Sequence, residues 1–180
     1  MNFIQKKCIN FEFYTIFNTF VTDMNKIEIN LDNTDLKIMR MMQENARINN
    51  ADIARELGMA PSGILERVKK LEQKQVILSY HAKINPLAIG QKLLSFIFIK
   101  TTDIIGDETV GNLLAEIPEV LEVHDIAGDD GYLIKVRTAD SEGLVELMRS
   151  SLSKIGGITS TRTTIVLQTI KEVPTIVIPE

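Results

Sequence analysis

Residues 93–101, Leu-Leu-Ser-Phe-Ile-Phe-Ile-Lys-Thr, form a nearly continuous apolar run. The run is too short to cross a bilayer as a helix and rich in aromatic and β-branched side chains, so it reads as a strand that needs cover on both faces. The residues after it supply cover for one of them. Val110, Leu113, Leu114 and Ile117 recur at i, i+3, i+4 and i+7 with Pro118 just beyond, which predicts a helix. Residues 120–127 and 132–138 read as two strands around Gly128, Asp129, Asp130 and Gly131, a composition suited to a tight hairpin. A second helix is expected from Ser141, taken as its cap, through Leu144, Leu147, Met148, Leu152 and Ile155 to Gly156-Gly157. Residues 158–170 make the last strand. The order β-α-β-β-α-β predicts a ferredoxin-like domain, an α+β fold with a four-stranded antiparallel sheet and two helices on one side. Its other side would expose a large apolar patch unless a second sheet covered it. A homodimer is therefore expected.

The preceding segment carries a different periodicity. Asp32 is placed to cap a helix whose third position is Asp35, with Leu36, Met39 and Met42 as its inward stripe and an end near Asn45. Asn49 or Asn50 caps a short second helix that turns Ile53, Ala54 and Leu57 inward and stops at Gly58. Pro61 opens a third, in which Ile64, Val68 and Leu71 mark the buried face. Two short helices joined by a tight Gly-containing turn have helix-turn-helix geometry, in which the second helix enters the major groove of DNA. A turn of 100° per residue puts Ser62, Glu66, Lys69, Lys70 and Gln73 opposite the buried stripe. Lys69 and Lys70 suit phosphates, Ser62 and the backbone at Gly63 suit a groove edge, and Glu66 suits a cytosine amino group. Arg67 lies beside the buried stripe and fits an internal ion pair as well as a phosphate. An ordinary three-helix core with a solvated outer face is the alternative reading of the same spacing. Residues 76–84 then read as an exit strand ended by Asn85-Pro86.

Composition narrows the function classes. Residues 24–85 carry ten basic and eight acidic groups, whereas 91–180 carry eight and 14, so any polyanion partner belongs to the first of these. Cys8 has no second cysteine to bond with, and beside it His81 and His124 are the only histidines, too few for a protein-built zinc site. A reducing, cytoplasmic setting and no cofactor are expected. Five of the seven phenylalanines fall within residues 1–23. Asn10 and Glu12 interrupt any signal-peptide core there. The segment is either an extension that packs on a partner or sequence upstream of a true start at Met24, and the second is expected.

From Leu31 onward the chain resembles the leucine-responsive and asparagine-responsive regulators, the Lrp/AsnC family. The likeness rests on Leu31-Asp32 with Asp35, Ile38-Met39, the run Gln43 to Arg47, Ile53-Ala54, Leu57-Gly58, Ile64 with Arg67-Val68 and Leu71-Glu72, then Ile77, Tyr80, Ala82, Asn85-Pro86 and Gly90. It implies a winged-helix-like helix-turn-helix domain at residues 31–75, a connecting strand at 76–92, a ferredoxin-like dimerisation and effector domain at 93–172 and a tail at 173–180, with 1–30 as an extension. It further implies a sequence-specific DNA-binding transcription regulator that forms a homodimer and assembles to a tetramer or octamer. By the resemblance, double-stranded DNA would be bound through Ser62, Gly63, Glu66, Arg67, Lys69, Lys70 and Gln73. A small effector such as an amino acid would be held by Gly128, Asp129, Asp130, Gly131 and Tyr132 with Thr161 and Thr163 of the last strand. Three positions depart from the family pattern. Ala60 replaces a capping Ser, Gln75 stands where a Gly is usual, and Gly131 stands where an acidic residue often precedes Tyr132. Residues 128–132 also read as a plain hairpin turn. The rival class is a siroheme decarboxylase, a tetrapyrrole enzyme of similar two-domain build, in which His81 or His124 would serve; a sensor with a vestigial DNA domain is a third.

Overall fold

The computed structural model describes residues 30–102 and 107–179. The extension and the expected start at Met24 lie outside the described residues. The described chain divides into two units, one of residues 30–81 with 174–179 and one of Ala82–Val173.

The first unit begins with α1 (Asn33–Glu44). The Asp32 carboxylate accepts from the Asp35 N–H at 2.9 Å while the Asp35 carboxylate accepts from the Asp32 N–H at 3.2 Å, a reciprocal capping box. Helix α2 (Asn50–Leu57) is capped by Asn49, whose side chain accepts from the Asp52 N–H, and ends at Gly58 with φ +64°. Helix α3 (Pro61–Gln73) starts on Pro61 with no side-chain cap, because Ala60 has nothing to offer. Ile38, Ile53, Ala54, Ile64, Val68 and Leu71 form the buried centre. Here the expected stripe of α1 is corrected. Ile38 is its buried residue, Met39 and Met42 pack beside it, and Leu36 lies about 200° around the helix from Ile38, outside that core.

Helix α3 closes with two wrap-back bonds, Gln75 N–H to the Glu72 carbonyl at 3.0 Å and Val76 N–H to the Leu71 carbonyl at 2.8 Å. That closure needs a left-handed residue, and Gln75 adopts φ +56° to provide it. The exit strand expected at 76–84 is absent. Val76 and Ile77 pack back on the helical core, and no strand lies beside the segment among the described residues to accept a ladder. Leu78 and Ile84 are exposed, and the Tyr80 hydroxyl donates to the Glu72 carboxylate at 2.9 Å. Burial and the neighbouring Glu72 push the Tyr80 phenol up to about 12.

The second unit holds β1 (Leu93–Thr101), α4 (Thr109–Ala115), β2 (Val120–Asp125), β3 (Tyr132–Thr138), α5 (Ser141–Ser150) and β4 (Ile158–Ile165). The sheet order is β2-β3-β1-β4 with antiparallel neighbours, the ferredoxin-like arrangement. Alternation along β1 and β3 sends Ile97, Ile99, Tyr132, Ile134 and Val136 to the helix side, where they meet Val110 and Leu114 of α4 and Leu144 and Leu147 of α5. Several ends differ from expectation. Asp140 rather than Ser141 caps α5, accepting from the Gly143 N–H at 2.9 Å, and the helix stops at Ser150, leaving Leu152 on a separate short turn. Strand β2 ends at Asp125, and β4 ends at Ile165, where pairing with β1 runs out at Ser95.

The other side of the sheet is only partly covered. Phe96 and Phe98 are half-buried there, and the Arg162 guanidinium stacks 3.9 Å from the centre of the Phe98 ring. Lys135 bridges Glu122 at 3.0 Å and Glu172 at 2.6 Å, and Glu172 reaches Lys83 at 3.7 Å. The Glu172 partner raises Lys135 above the ordinary lysine value, and Lys135 in turn lowers Glu172. These bonds pin the chain at residues 83 and 172 to the sheet.

Candidate nucleic-acid interface and effector region

A helix can read DNA only if its core anchors and its outer residues fall on opposite sides, and α3 satisfies this. Ile64, Val68 and Leu71 are buried, while Ser62, Glu66, Lys69, Lys70 and Gln73 are exposed and Gly63 is half-buried in the first turn. Gly63 has room around it: an added Cβ would meet only the Met59 methyl, at 3.8 Å. No carboxylate among the described residues pairs with Lys69 or Lys70, so both ammonium groups face solvent with their charge unneutralised. Pro61 has no N–H and those of Gly63 and Ile64 donate to the Ala60 carbonyl at 3.0 and 3.3 Å, so the first turn of α3 closes on its own backbone without a side-chain cap.

Arg67 is used differently. Its guanidinium donates to Asp32 at 2.6 Å and to Asp35 at 2.8 Å, the two members of the α1 capping box. The contact supplies the internal ion pair that the sequence offered as one reading of Arg67, and it locks α3 against the start of α1. Asp32 is held below the ordinary carboxylate value, first by the Asp35 N–H and then by Arg67, and Arg67 is raised by its bond to Asp32 and then by that to Asp35. Sequence spacing could not have supplied these partners, which lie more than thirty positions away. A depression of about 420 Å³ opens beside this contact, lined by Asp35, Gly63, Glu66, Arg67, Lys70 and Lys74 among others.

The residues expected to hold an effector are split by the sheet. Tyr132, Ile99 and Thr161 stand in one cross-strand row and Ile134, Ile97 and Thr163 in the next, so Tyr132, Thr161 and Thr163 share the helix side. Tyr132 is 6% exposed, packs under Gly111 of α4 and donates its hydroxyl to the Asp107 carbonyl at 3.1 Å. It serves the core. Thr161 and Thr163 are half-buried, and the Thr163 hydroxyl faces the Met148 sulfur at 4.0 Å. Asp130 looks to the opposite side, where its carboxylate accepts from Arg162 at 3.0 Å. Gly128 and Asp129 are exposed at the hairpin tip. Gly131 sits where an added Cβ would meet the Thr101 hydroxyl at 3.0 Å, and its N–H donates to the Ile99 carbonyl at 2.9 Å. A side chain at this position would need the Thr101 hydroxyl to give by a few tenths of an ångström. Arg162 escaped the sequence reading; alternation from Thr161 and Thr163 would have placed it on the far side, but nothing would have paired it with Asp130.

Comparison with known proteins joins both halves. Residues 31–77 match the model for winged helix-turn-helix DNA-binding domains, and residues 95–176 match that for the Lrp/AsnC ligand binding domain. The leucine-responsive regulatory protein of Haemophilus influenzae is 34% identical over 146 residues, spanning 79% of this chain and 87% of that protein. An HTH-type transcriptional regulator, FL11, of Pyrococcus horikoshii is 36% identical over 146 residues, 81% of this chain and 95% of its own. Among solved structures, Escherichia coli AsnC superposes with a TM-score of 0.75 at 27% identity, covering 84% of this chain and all of that one. A transcriptional regulator from Neisseria meningitidis, solved in complex with L-Met, gives 0.75 at 26% identity over 82% of this chain and 96% of its own. With a DNA-reading helix pair, a ferredoxin-like sheet and relatives that align across both, the chain belongs to the Lrp/AsnC family of DNA-binding transcription regulators.

Proposed function

We propose that the protein regulates transcription as a homodimer or larger assembly, placing two α3 helices in successive major grooves of a roughly palindromic site. The observation that carries this reading is the face of α3 formed by Ser62, Glu66, Lys69, Lys70 and Gln73, exposed and polar opposite a fully packed stripe. Lys69 and Lys70 supply phosphate contacts, and Ser62, Gly63, Glu66 and Gln73 lie against groove edges. Arg67 contributes by holding α3 to the capping box. The half-covered outer side of the sheet, with Phe96 and Phe98, supports assembly through that face.

The effector is a small molecule of amino-acid type, bound near the hairpin 128–131 and the Thr161 and Thr163 hydroxyls. Support comes from the ligand-binding family of this half of the chain and from the L-Met complex of the Neisseria relative. A ligand there shifts regulation only by binding one assembly state better than another, typically by about 1–3 kcal/mol. The protein acts in the cytoplasm and is not an enzyme: the relatives named above are regulators, and His81 and His124 are both exposed, His124 facing Glu122 at 3.4 Å. Selection of bound sequences from a random duplex pool, with and without a panel of amino acids including methionine, tests both parts. Enrichment of a two-half-site motif is expected, with recovery altered by at least one amino acid. No enrichment at low salt would reject the DNA reading, and identical recovery throughout would reject the effector.

A further inference from the structure

Helix α1 carries an apolar and polar stripe that its own core does not use. Leu36, Arg40 and Gln43 follow one another at i, i+4 and i+7 on the side away from the buried Ile38. Residues 174–179 lie on this stripe and belong to the first unit, although the chain reaches them from the end of the second. The Gln43 amide donates to the Ile176 carbonyl at 2.7 Å, and the Arg40 guanidinium donates to the Pro179 carbonyl. Between these anchors Ile178 joins Asn33, Leu36, Lys37 and Arg40 in lining one depression on α1. The half-buried state of Ile178 contrasts with Ile176 and Val177, which are 76% and 96% exposed, so one side chain of three is selected for contact. Pro174 and Pro179 stiffen the segment and lower the entropy lost when it docks. At its other end the segment starts from Glu172, which Lys135 and Lys83 hold to the sheet.

We propose that residues 174–179 are an intramolecular strap that docks on the Leu36, Arg40 and Gln43 stripe and ties the DNA-reading unit to the effector unit. The chain then joins the two units twice, once at His81/Ala82 and once at Val173/Pro174. A unit held by two connections explores fewer orientations than one held by a single connection. Restricting that freedom raises the effective concentration of the second recognition helix at its half-site once the first is bound. The strap thus acts on binding to paired half-sites and leaves binding to one half-site alone. This consequence rests on the DNA reading above, whereas the docking itself does not.

The chain has no tryptophan, so a single introduced one reports on the strap without background. In the full-length protein, Ile178→Trp should emit at shorter wavelength than Val177→Trp and resist iodide quenching. Adding Arg40→Ala and Gln43→Ala should abolish both differences. Equal emission and quenching at the two positions would overturn the docking, and a blue shift that vanishes on dilution would overturn an intramolecular strap in favour of exchange between copies. In parallel, a chain ending at Val173 and an Ile178→Asp variant should bind paired half-sites recovered from the random pool about ten-fold more weakly, with affinity for a single half-site unchanged. Equal losses on both DNAs, or none, would overturn the coupling. Failure of the intact protein to bind any DNA would remove the proposed function while the fluorescence result stood.

Discussion

Replacing Gln75 by Gly should make the DNA-reading unit more stable. Gln75 is the only non-glycine with positive φ among the described residues, at +56°, and it is held there because α3 closes through its N–H and that of Val76. An L residue in the left-handed region carries about 1–2 kcal/mol of steric cost. Glycine removes that cost but loses roughly 0.5–1 kcal/mol more backbone entropy on folding. The Gln75 side chain donates to the Glu72 carbonyl at 3.3 Å in full solvent, a bond whose loss water compensates. The net gain is about 0.5–1 kcal/mol, or roughly 2–8 °C in the melting transition of a domain this small. Calorimetry of the full chain reads it, with Gln75→Ala as control, since alanine keeps the strained backbone and loses only the side chain. If Gln75→Gly melts no higher than the parent, or if Gln75→Ala gains as much, the strain assigned to this turn is wrong.

Lys69→Ala with Lys70→Ala should leave the fold intact and reduce the slope of log affinity against log salt by about 2, since each phosphate contact contributes about 0.9; an unchanged slope would remove both lysines from the interface. Arg67→Met should lower stability at neutral pH through loss of the Asp32 and Asp35 bonds. Because the folded-state value of Asp32 is depressed, the stabilisation from its ionised form is complete above the ordinary carboxylate range and disappears as pH falls through the depressed value. Urea midpoints of parent and variant should therefore differ by a constant amount from about pH 8 to about pH 5 and converge below about pH 4. A gap that persists in acid would show the contact to be packing alone. Gly111→Ala would place a methyl 2.8 Å from the Tyr132 ring and should cost about 1–3 kcal/mol, read as a lower urea midpoint of the second unit; a neutral result would mean that α4 shifts freely over the sheet.

Much of this molecule is written in local spacing. Gly58 and Pro61 mark where one helix must stop and the next start, and Ile64, Val68 and Leu71 repeat at the helical period, so α2 and α3 are legible from neighbouring residues. The strands are legible from their apolar runs and from the Gly128 to Gly131 turn, but Phe96 and Phe98 are as apolar as Ile97 and Ile99, so which side the helices cover is not. Contacts between distant positions are not. Arg67 looks like any cation on a recognition helix until Asp32 and Asp35 meet it. Residues 76–84 have the apolar content of a strand, but a ladder needs a neighbour, and of this segment only Val76 and Ile77 find a core to pack on. Leu36 fits the inward stripe by count; only the tail reveals why an apolar residue stands on the other side. Gln43 and Arg40 recognise backbone carbonyls, which every sequence has, so no pattern in the tail announces them.

The strand order also sets a timetable. Strand β1 sits between β3 and β4, its later neighbours in the chain, so its ladder on one side stays open until β4 has left the ribosome. The three helices close around contacts nearer in sequence and are expected to consolidate while the sheet is still being synthesised. A nascent regulator would then own a finished reading head before it owns an assembly surface, and premature pairing between neighbouring chains on one messenger would be limited to the last stretch of translation.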